Sequence, residues 1–363
     1  MRIVRRAVTV IALGLAATVS AGAHAVAFNQ LVIFGDSLSD TGNNAIALPP
    51  ILMEPPGATT AVPVSGNSFT PLLPYSSGRY TNARVWADTF APAFGVSAAP
   101  SLAGGPNFAS GGATTGPIDP AFPSTYPPTL LTQVAVFLAG SGGAAPPGAL
   151  YVVAGGGNNA RDTFAEAAFG GGDPAPIIEA GAGAFANDVK TIVETLIGAG
   201  ATKIVLWNVP DIGTTPAARS FGTAAADLAT DVAEAMNAAL LATLDAFDLL
   251  DDVMLFDVFA RVQAVSNSPE AFGLANAEDA CAQFNACILG DPAFDPGVLN
   301  GYFFWDGIHP TSAGHAILAH AMIAFVPEPG VLALLAIALL ASGWVRARTA
   351  AYPSTFTPRQ KAM

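Results

Sequence analysis

The sequence predicts an α/β fold: a three-layer α/β/α sandwich with a central parallel sheet. Three observations carry this. Short apolar runs rich in β-branched residues recur along the chain, and stretches with helical spacing separate them. In addition, 52% apolar residues with only 11% charged imply a compact core, where disorder would need the opposite balance. Strands that alternate with helices pair in parallel through right-handed crossovers.

The elements follow in order. Residues 30–34 form the first strand-like run, and residues 149–153, 203–207 and 253–257 repeat its character. Helical spacing is clearest over 180–196, where Phe185, Val189, Ile192 and Leu196 recur at intervals of three or four. Residues 228–249 are similarly rich in Ala and Leu, and 313–325 make a closing helix. Residues 48–80, 97–126 and 139–148 are rich in Gly and Pro. The first two are too long for simple connections, and such loops in an α/β protein gather at the carboxyl ends of the strands, where ligands bind. No internal repeat and no composition break marks a second globular domain.

The two ends read differently from the body. Arg2, Arg5 and Arg6 precede an apolar stretch over 7–21, and Ala23-His24-Ala25 and Ala25-Val26-Ala27 offer small-x-small cleavage sites. Residues 1–27 are therefore expected to be a secretory signal peptide. At the other end, Pro327-Glu328-Pro329 leads into an apolar run over 331–345, then Arg346 and Arg348. The run is shorter than the roughly 20 residues of a perpendicular span, and arginines beyond it fit a flank that stays cytoplasmic. Residues 326–348 resemble a PEP-CTERM sorting signal, which implies export, transient membrane anchoring and processing by an exosortase-type enzyme. Residues 349–363 add a tail longer than such signals usually carry. One folded domain is left at 28–325.

A net charge of −13 repels a phosphate backbone, which sets nucleic acid aside as a partner. The only two cysteines, Cys281 and Cys287, are close enough in sequence for a local disulfide in an exported protein, with free thiols as the alternative. Zinc would need further ligands, and none sit nearby at suitable spacing.

Two short segments carry the chemistry. Phe34-Gly35-Asp36-Ser37-Leu38-Ser39-Asp40-Thr41-Gly42-Asn43 places Ser37 directly after the first strand-like run. Gly35 lets that strand turn sharply, and a following helix would aim its N-terminal amides at a developing oxyanion. A capping serine in a strand-to-helix turn is the plainer reading. Far downstream, Trp305-Asp306-Gly307-Ile308-His309-Pro310 supplies an acid and a histidine three residues apart. On a single turn that spacing lets the Asp306 carboxylate reach Nδ1 of His309 and leaves Nε2 for a nucleophile. His315 and His320 share no metal-ligand pattern with His309 and read as structural or surface residues. Nucleophile, base and orienting carboxylate are the parts of a serine hydrolase. No Gly-x-Ser-x-Gly elbow and no Gly-rich nucleotide loop opens a helix.

Taken together these segments resemble the GDSL, or SGNH, hydrolase family. Its first block matches 34–44, and its second resembles Gly105-Pro106-Asn107-Phe108-Ala109-Ser110-Gly111-Gly112-Ala113-Thr114. The third resembles 151–159 and the last matches Asp306-Gly307-Ile308-His309-Pro310. Gly78-Arg79-Tyr80-Thr81-Asn82 with Val85-Trp86, and the stretch 208–216, agree as lesser landmarks. The likeness spans about 28 to 325 and implies an SGNH-type, flavodoxin-like sandwich.

It also implies roles: Ser37 as nucleophile, His309 as general base and acid, and Asp306 as the residue orienting His309. The oxyanion hole would be the Ser37 N–H, the Gly112 N–H and the Asn158 side chain, with Gly111 the alternative if the alignment slips by one. The family's third block usually ends Gly-x-Asn-Asp, whereas Asn159 stands at the aspartate position here. Asp162 is the candidate to compensate. The expected function is an exported esterase or lipase, with no metal or organic cofactor, acting on a lipid or acylated glycan ester. Deacetylation or acyl transfer on surface polysaccharide, and a non-catalytic matrix protein on a hydrolase scaffold, are the rival readings.

Overall fold

A computed structural model describes residues 28–47, 78–117, 126–281 and 301–326. The expected signal peptide, the apolar run 331–345 and Cys287 lie outside the described residues. The chain divides into two units, Phe28–Phe325 and a second made of Met1–Ala27 with Val326–Met363. Every element below belongs to the first.

Strands β1 (Gln30–Gly35), β2 (Ala149–Ala154), β3 (Ile204–Trp207) and β4 (Val253–Phe256) form one sheet in that order. All three pairings are parallel, with Gln30 opposite Ala149, Tyr151 opposite Ile204 and Ile204 opposite Val253. Burial on both faces explains why β1 to β3 read as continuous apolar runs. The expected strand 253–257 ends one residue early, because Asp257 turns its side chain back to accept the Ala260 N–H at 2.9 Å.

The segment expected as a long loop over 97–126 contains a sheet edge. Ile33 N–H donates to Pro106 O at 3.2 Å, Phe108 N–H to Ile33 O at 2.8 Å and Ser110 N–H to Gly35 O at 3.1 Å. Residues 106–110 therefore run parallel to β1 on its outer side. Their Gly-Pro-Asn composition hid this from a propensity reading.

Helices cover both faces. In chain order they are α1 (Asn43–Ala47), α2 (Trp86–Ala93), α3 (Leu130–Gly140), α4 (Gly157–Phe169) and α5 (Pro174–Gly198). The others among the described residues are α6 (Pro216–Ser220), α7 (Thr223–Ala246), α8 (Val258–Asn267) and α9 (Ser312–Phe325). Val32, Phe34, Tyr151, Val153, Ile204 and Leu206 share one core with α3, α4, α5 and α7. On the opposite face the Trp207 ring lies 5.0 Å from that of Trp86 of α2, and its Nε1–H points at Met322 Sδ of α9 at 3.2 Å. Those are the three layers the sequence predicts.

Helix α5 starts at Pro174 because the Asp173 side chain caps the Ala175 N–H at 3.1 Å and proline suits the first turn. Its buried stripe, Phe185, Val189, Ile192 and Leu196, packs on α7, where each large side chain contributes about 1.5–3 kcal/mol by burial. A Cβ at Gly181 would stand 2.4 Å from Thr163 Oγ1, so the glycine is what lets α4 and α5 approach.

A second, two-stranded sheet pairs β5 (Asn276–Ala280) with β6 (Tyr302–Phe304) in parallel. Nothing in Asn276-Ala277-Glu278-Asp279-Ala280 favours a strand. Cys281, which follows β5, is disulfide-bonded.

Candidate active site

Ser37 leaves the carboxyl end of β1 on a tight turn. Asp36 Oδ1 accepts the Leu38 N–H at 3.0 Å, and Asp36 O accepts the N–H groups of Ser39 and Asp40 at 3.1 and 3.0 Å. The helix expected to follow Ser37 directly is not there: α1 begins only at Asn43. The reason is Asp40, whose carboxylate accepts four backbone N–H groups, from Gly42 and Asn43 at 2.8 and 2.7 Å and from Asn44 and Gly111 at 3.2 and 3.0 Å. It closes a turn where a helix would otherwise start. Burial raises the Asp36 and Asp40 carboxyls to about 6 each, against the opposing pull of these N–H donors.

The strand end itself is fixed by Gln133 of α3, whose amide accepts from Gly35 N–H at 2.8 Å and donates to Gly35 O at 2.9 Å. Sequence reasoning missed this residue, since a lone glutamine among the apolar positions of α3 carries no motif.

His309 arrives from β6. Asp306 Oδ1 accepts the Ile308 and His309 N–H groups at 2.8 and 2.7 Å, so the turn wraps around the carboxylate. Asp306 Oδ2 lies 2.7 Å from His309 Nδ1, and His309 Nε2 lies 2.8 Å from Ser37 Oγ. All three are buried, Asp306 at 1% exposure, His309 at 7% and Ser37 at 8%. A carboxylate on Nδ1 selects the tautomer with Nδ1 protonated and a lone pair on Nε2, aimed at the hydroxyl. The structure thus joins residues 272 positions apart into one hydrogen-bonded chain.

The segment 78–82 braces this loop. Thr81 Oγ1 donates to Pro310 O at 2.9 Å, Asn82 Oδ1 accepts the Ser312 N–H at 2.7 Å, and the Tyr80 ring lies 5.2 Å from the His309 ring. His315 is buried on α9 with no hydrogen-bond partner at either ring nitrogen among the described residues; burial, with His309 nearby, lowers it to about 3 and keeps it neutral. His320 is exposed. Among the described residues no cluster of His, Cys, Asp and Glu is arranged to hold a metal.

Ser37 N–H and Gly112 N–H have no hydrogen-bond acceptor among the described residues, whereas Gly111 N–H is committed to Asp40. That favours Gly112 over Gly111 as a donor to a ligand. Asn158, in the first turn of α4, gives one amide hydrogen to Ala113 O at 2.8 Å, which leaves the other available.

These groups open onto a cavity of about 370 Å³ lined by Ser37, His309 and Asn158 and, mostly, by apolar side chains such as Phe164, Val262 and Leu318. Phe169 and Phe221 also line it, their rings 5.2 Å apart and each 60% exposed, so they form its outer lip. A larger cavity of about 590 Å³, bounded by Asn159, Glu166 and Asp188, contains neither Ser37 nor His309.

Residues 31–322 match the model of the GDSL-like lipase/acylhydrolase family. The chain belongs to that family. It is therefore an enzyme of ester chemistry, and relatives named as esterase and lipase agree. It is 26% identical to a phosphatidylcholine-sterol acyltransferase of Aeromonas hydrophila over 86% of this chain and 95% of that one. It is 29% identical to esterase EstA of Pseudomonas aeruginosa over 85% of this chain, which spans 48% of that protein. With lipase 1 of Photorhabdus luminescens it shares 29% over 57% of this chain and 26% of the relative.

The departure from the GDSL third block can now be located. Asn159 Oδ1 accepts the Thr115 N–H at 3.1 Å and its Nδ2 donates to Thr115 Oγ1 at 2.9 Å. Asp162, the candidate to compensate, is instead paired with Arg161 at 2.9 Å. The carboxylate on this loop is Asp188 of α5, which accepts from Thr115 Oγ1 at 2.9 Å.

Proposed function

We propose that Ser37 attacks the carbonyl of a carboxylic ester while His309 Nε2 takes its proton, with Asp306 orienting the imidazole through Nδ1. The alcohol leaves on receiving that proton, an acyl-enzyme remains, and water activated by His309 releases the acid. The oxyanion sits on the N–H groups of Ser37 and Gly112 and on the Asn158 amide, where losing one donor typically costs about 2.7–4 kcal/mol. The acyl chain lies in the apolar cavity. This chemistry needs no metal or organic cofactor.

The supporting observation is the unbroken hydrogen-bonded chain Asp306–His309–Ser37 at the mouth of that cavity. The test is a panel of p-nitrophenyl esters, from acetate to palmitate, with a fluorophosphonate label. Ser37→Ala should lose at least about 1,000-fold in kcat and all labelling. A variant as active as its parent would refute the assignment, and a parent that neither turns over nor labels would favour a non-catalytic scaffold.

Export is part of the same reading. Residues 1–27 are removed by signal peptidase, and residues 326–348 hold the chain at the inner membrane until an exosortase-type enzyme acts; the support is the order of basic, apolar and punctuating residues at each end. No helix among the described residues is long and apolar enough to cross a membrane. Mass analysis of the protein from envelope and medium tests this, and a mature chain still carrying Met1 would overturn it.

Acyl transfer to an alcohol in place of water is the second reading, favoured by the Aeromonas relative named an acyltransferase. Added alcohols or acetylated glycans, with analysis of the products, separate it from hydrolysis.

A further inference from the structure

Asn158 and Gly112, the two oxyanion donors that lie outside the Ser37 turn, are on separate segments, α4 and the loop after residues 106–110. Asn158 and Asn159 hold those two segments together, and Asp188 of α5 ties the same loop from its other side. Asn158 Nδ2 donates to Ala113 O at 2.8 Å, Asn159 brackets the N–H and hydroxyl of Thr115, and the Thr115 hydroxyl hands its own proton to Asp188. Thr115 is fully buried, so its hydroxyl has no water to fall back on.

The direction of the relay is fixed by chemistry. Asn159 Nδ2 can only donate, so Thr115 Oγ1 accepts there and its single proton must go to Asp188. Gly116 leaves the room: a Cβ there would stand 2.5 Å from Asp188 Oδ2. Burial raises the Asp188 carboxyl, and the Thr115 hydrogen bond opposes that rise by favouring the charged form.

We propose that Asp188 is a positioning residue for the oxyanion hole, acting through Thr115 and Asn159, and that it supplies from across Thr115 the carboxylate that Asn159 cannot. The proposal rests on the reading of Gly112 and Asn158 as oxyanion donors. It goes beyond that reading in requiring that the hydroxyl of Thr115 have one donor side and one carboxylate side, in either order.

Asn159→Asp places two carboxylates around one hydroxyl proton. Its kcat for p-nitrophenyl butyrate should fall about 10-fold, the value of one lost charge-assisted bond, with KM within about twofold. Asp188→Asn added to it reverses the relay: Asn at 188 donates to Thr115, and Thr115 donates to Asp at 159. The double variant should recover kcat to within about threefold of the parent. Thr115→Val, which keeps the shape and loses the hydroxyl, should lower kcat about 10-fold at unchanged KM.

A double variant as slow as Asn159→Asp, or Thr115→Val with parental kcat, overturns the proposal. If Asn159→Asp does not fold, Thr115→Val and the double variant still decide. Ser37→Ala is run alongside: activity retained there means that the underlying serine mechanism has failed, whereas activity lost there with no recovery in the double variant means that only the relay has failed.

Discussion

The amide of Gln133 holds both polar groups of the Gly35 peptide, the N–H at 2.8 Å and the carbonyl at 2.9 Å, from 98 positions away in sequence. Gly35 is the last residue of β1 and stands two residues before Ser37, so α3 sets where the strand stops and where the hydroxyl is presented. Among the described residues, Gln133 alone satisfies the Gly35 N–H, and it shares the Gly35 carbonyl with the Ser110 N–H of the sheet edge.

Replacing Gln133 with Leu keeps bulk and removes both bonds, together with the one that Nε2 donates to Pro128 O at 3.0 Å. Gly35 O retains the Ser110 N–H, but Gly35 N–H becomes a buried donor without an acceptor. The expected cost is about 1–3 kcal/mol in urea unfolding, with kcat down by about an order of magnitude. Unchanged kcat would mean that the neighbouring strands alone fix the turn.

How much of this was legible in the sequence depended on where each signal lies. Strands β1 to β3 were readable because burial on both faces forces continuous apolar runs. The Ser37 and His309 turns were readable because each is stabilised by neighbours in sequence, Asp36 and Asp306, which leave a local pattern. The sheet edge at 106–110 and strand β5 were not, since their side chains have no β preference and the partners that hold them, such as Ser39 and Thr41 for the Asn107 amide, lie far away along the chain. Gln133 and Asp188 were invisible for a related reason: each is a single polar residue on a helix whose partner lies far away along the chain. The expected helix after Ser37 failed on a competition that only the fold reveals, four backbone donors claiming Asp40.

Thr81 and Asn82 should matter to turnover although neither touches the cavity. They tie the residues on the far side of His309, Pro310 and Ser312, to the segment before α2. Thr81→Val leaves the Pro310 carbonyl without that donor in a fully buried place. A loss of about 1 kcal/mol in stability is expected, with a drop in kcat of roughly 10-fold at similar KM. A raised KM with intact kcat would instead point to a role in substrate binding.

Asp36 gives a pH signature in stability. Its folded carboxyl sits at about 6 against an ordinary 3.8, so the folded chain holds the proton more tightly than the unfolded one between those values. The contribution of Asp36 is therefore fully present below about pH 4 and is lost as pH rises through about 6. Asp36→Asn does not titrate and can still accept the Leu38 N–H. Its unfolding free energy relative to the parent should climb between about pH 4 and 6, by up to about 3 kcal/mol, and then level off. Chemical denaturation at several pH values measures it, and a difference that stays constant across that range would contradict the buried-carboxyl argument.

Phe221 and Phe169 should set the preference for acyl length. Both line the cavity that Ser37 opens on, yet both are mostly exposed, so the fold gains little from them. Truncating either to Ala should change stability by no more than about 0.5 kcal/mol, as for an ordinary surface site. The effect on catalysis depends on the substrate. A short acyl chain stays near Ser37 and never reaches the lip, so kcat/KM for the acetate ester should be unchanged. A long chain that emerges between the rings loses apolar contact at up to about 0.8 kcal/mol per methylene, so two methylenes are worth roughly 10-fold in kcat/KM. The ratio of long-chain to acetate activity is the quantity to measure, because it cancels any general loss of function. If Phe221→Ala lowered both substrates equally, the lip would be acting on the catalytic residues and not on the chain; if it lowered neither, the acyl chain would leave the cavity by another side.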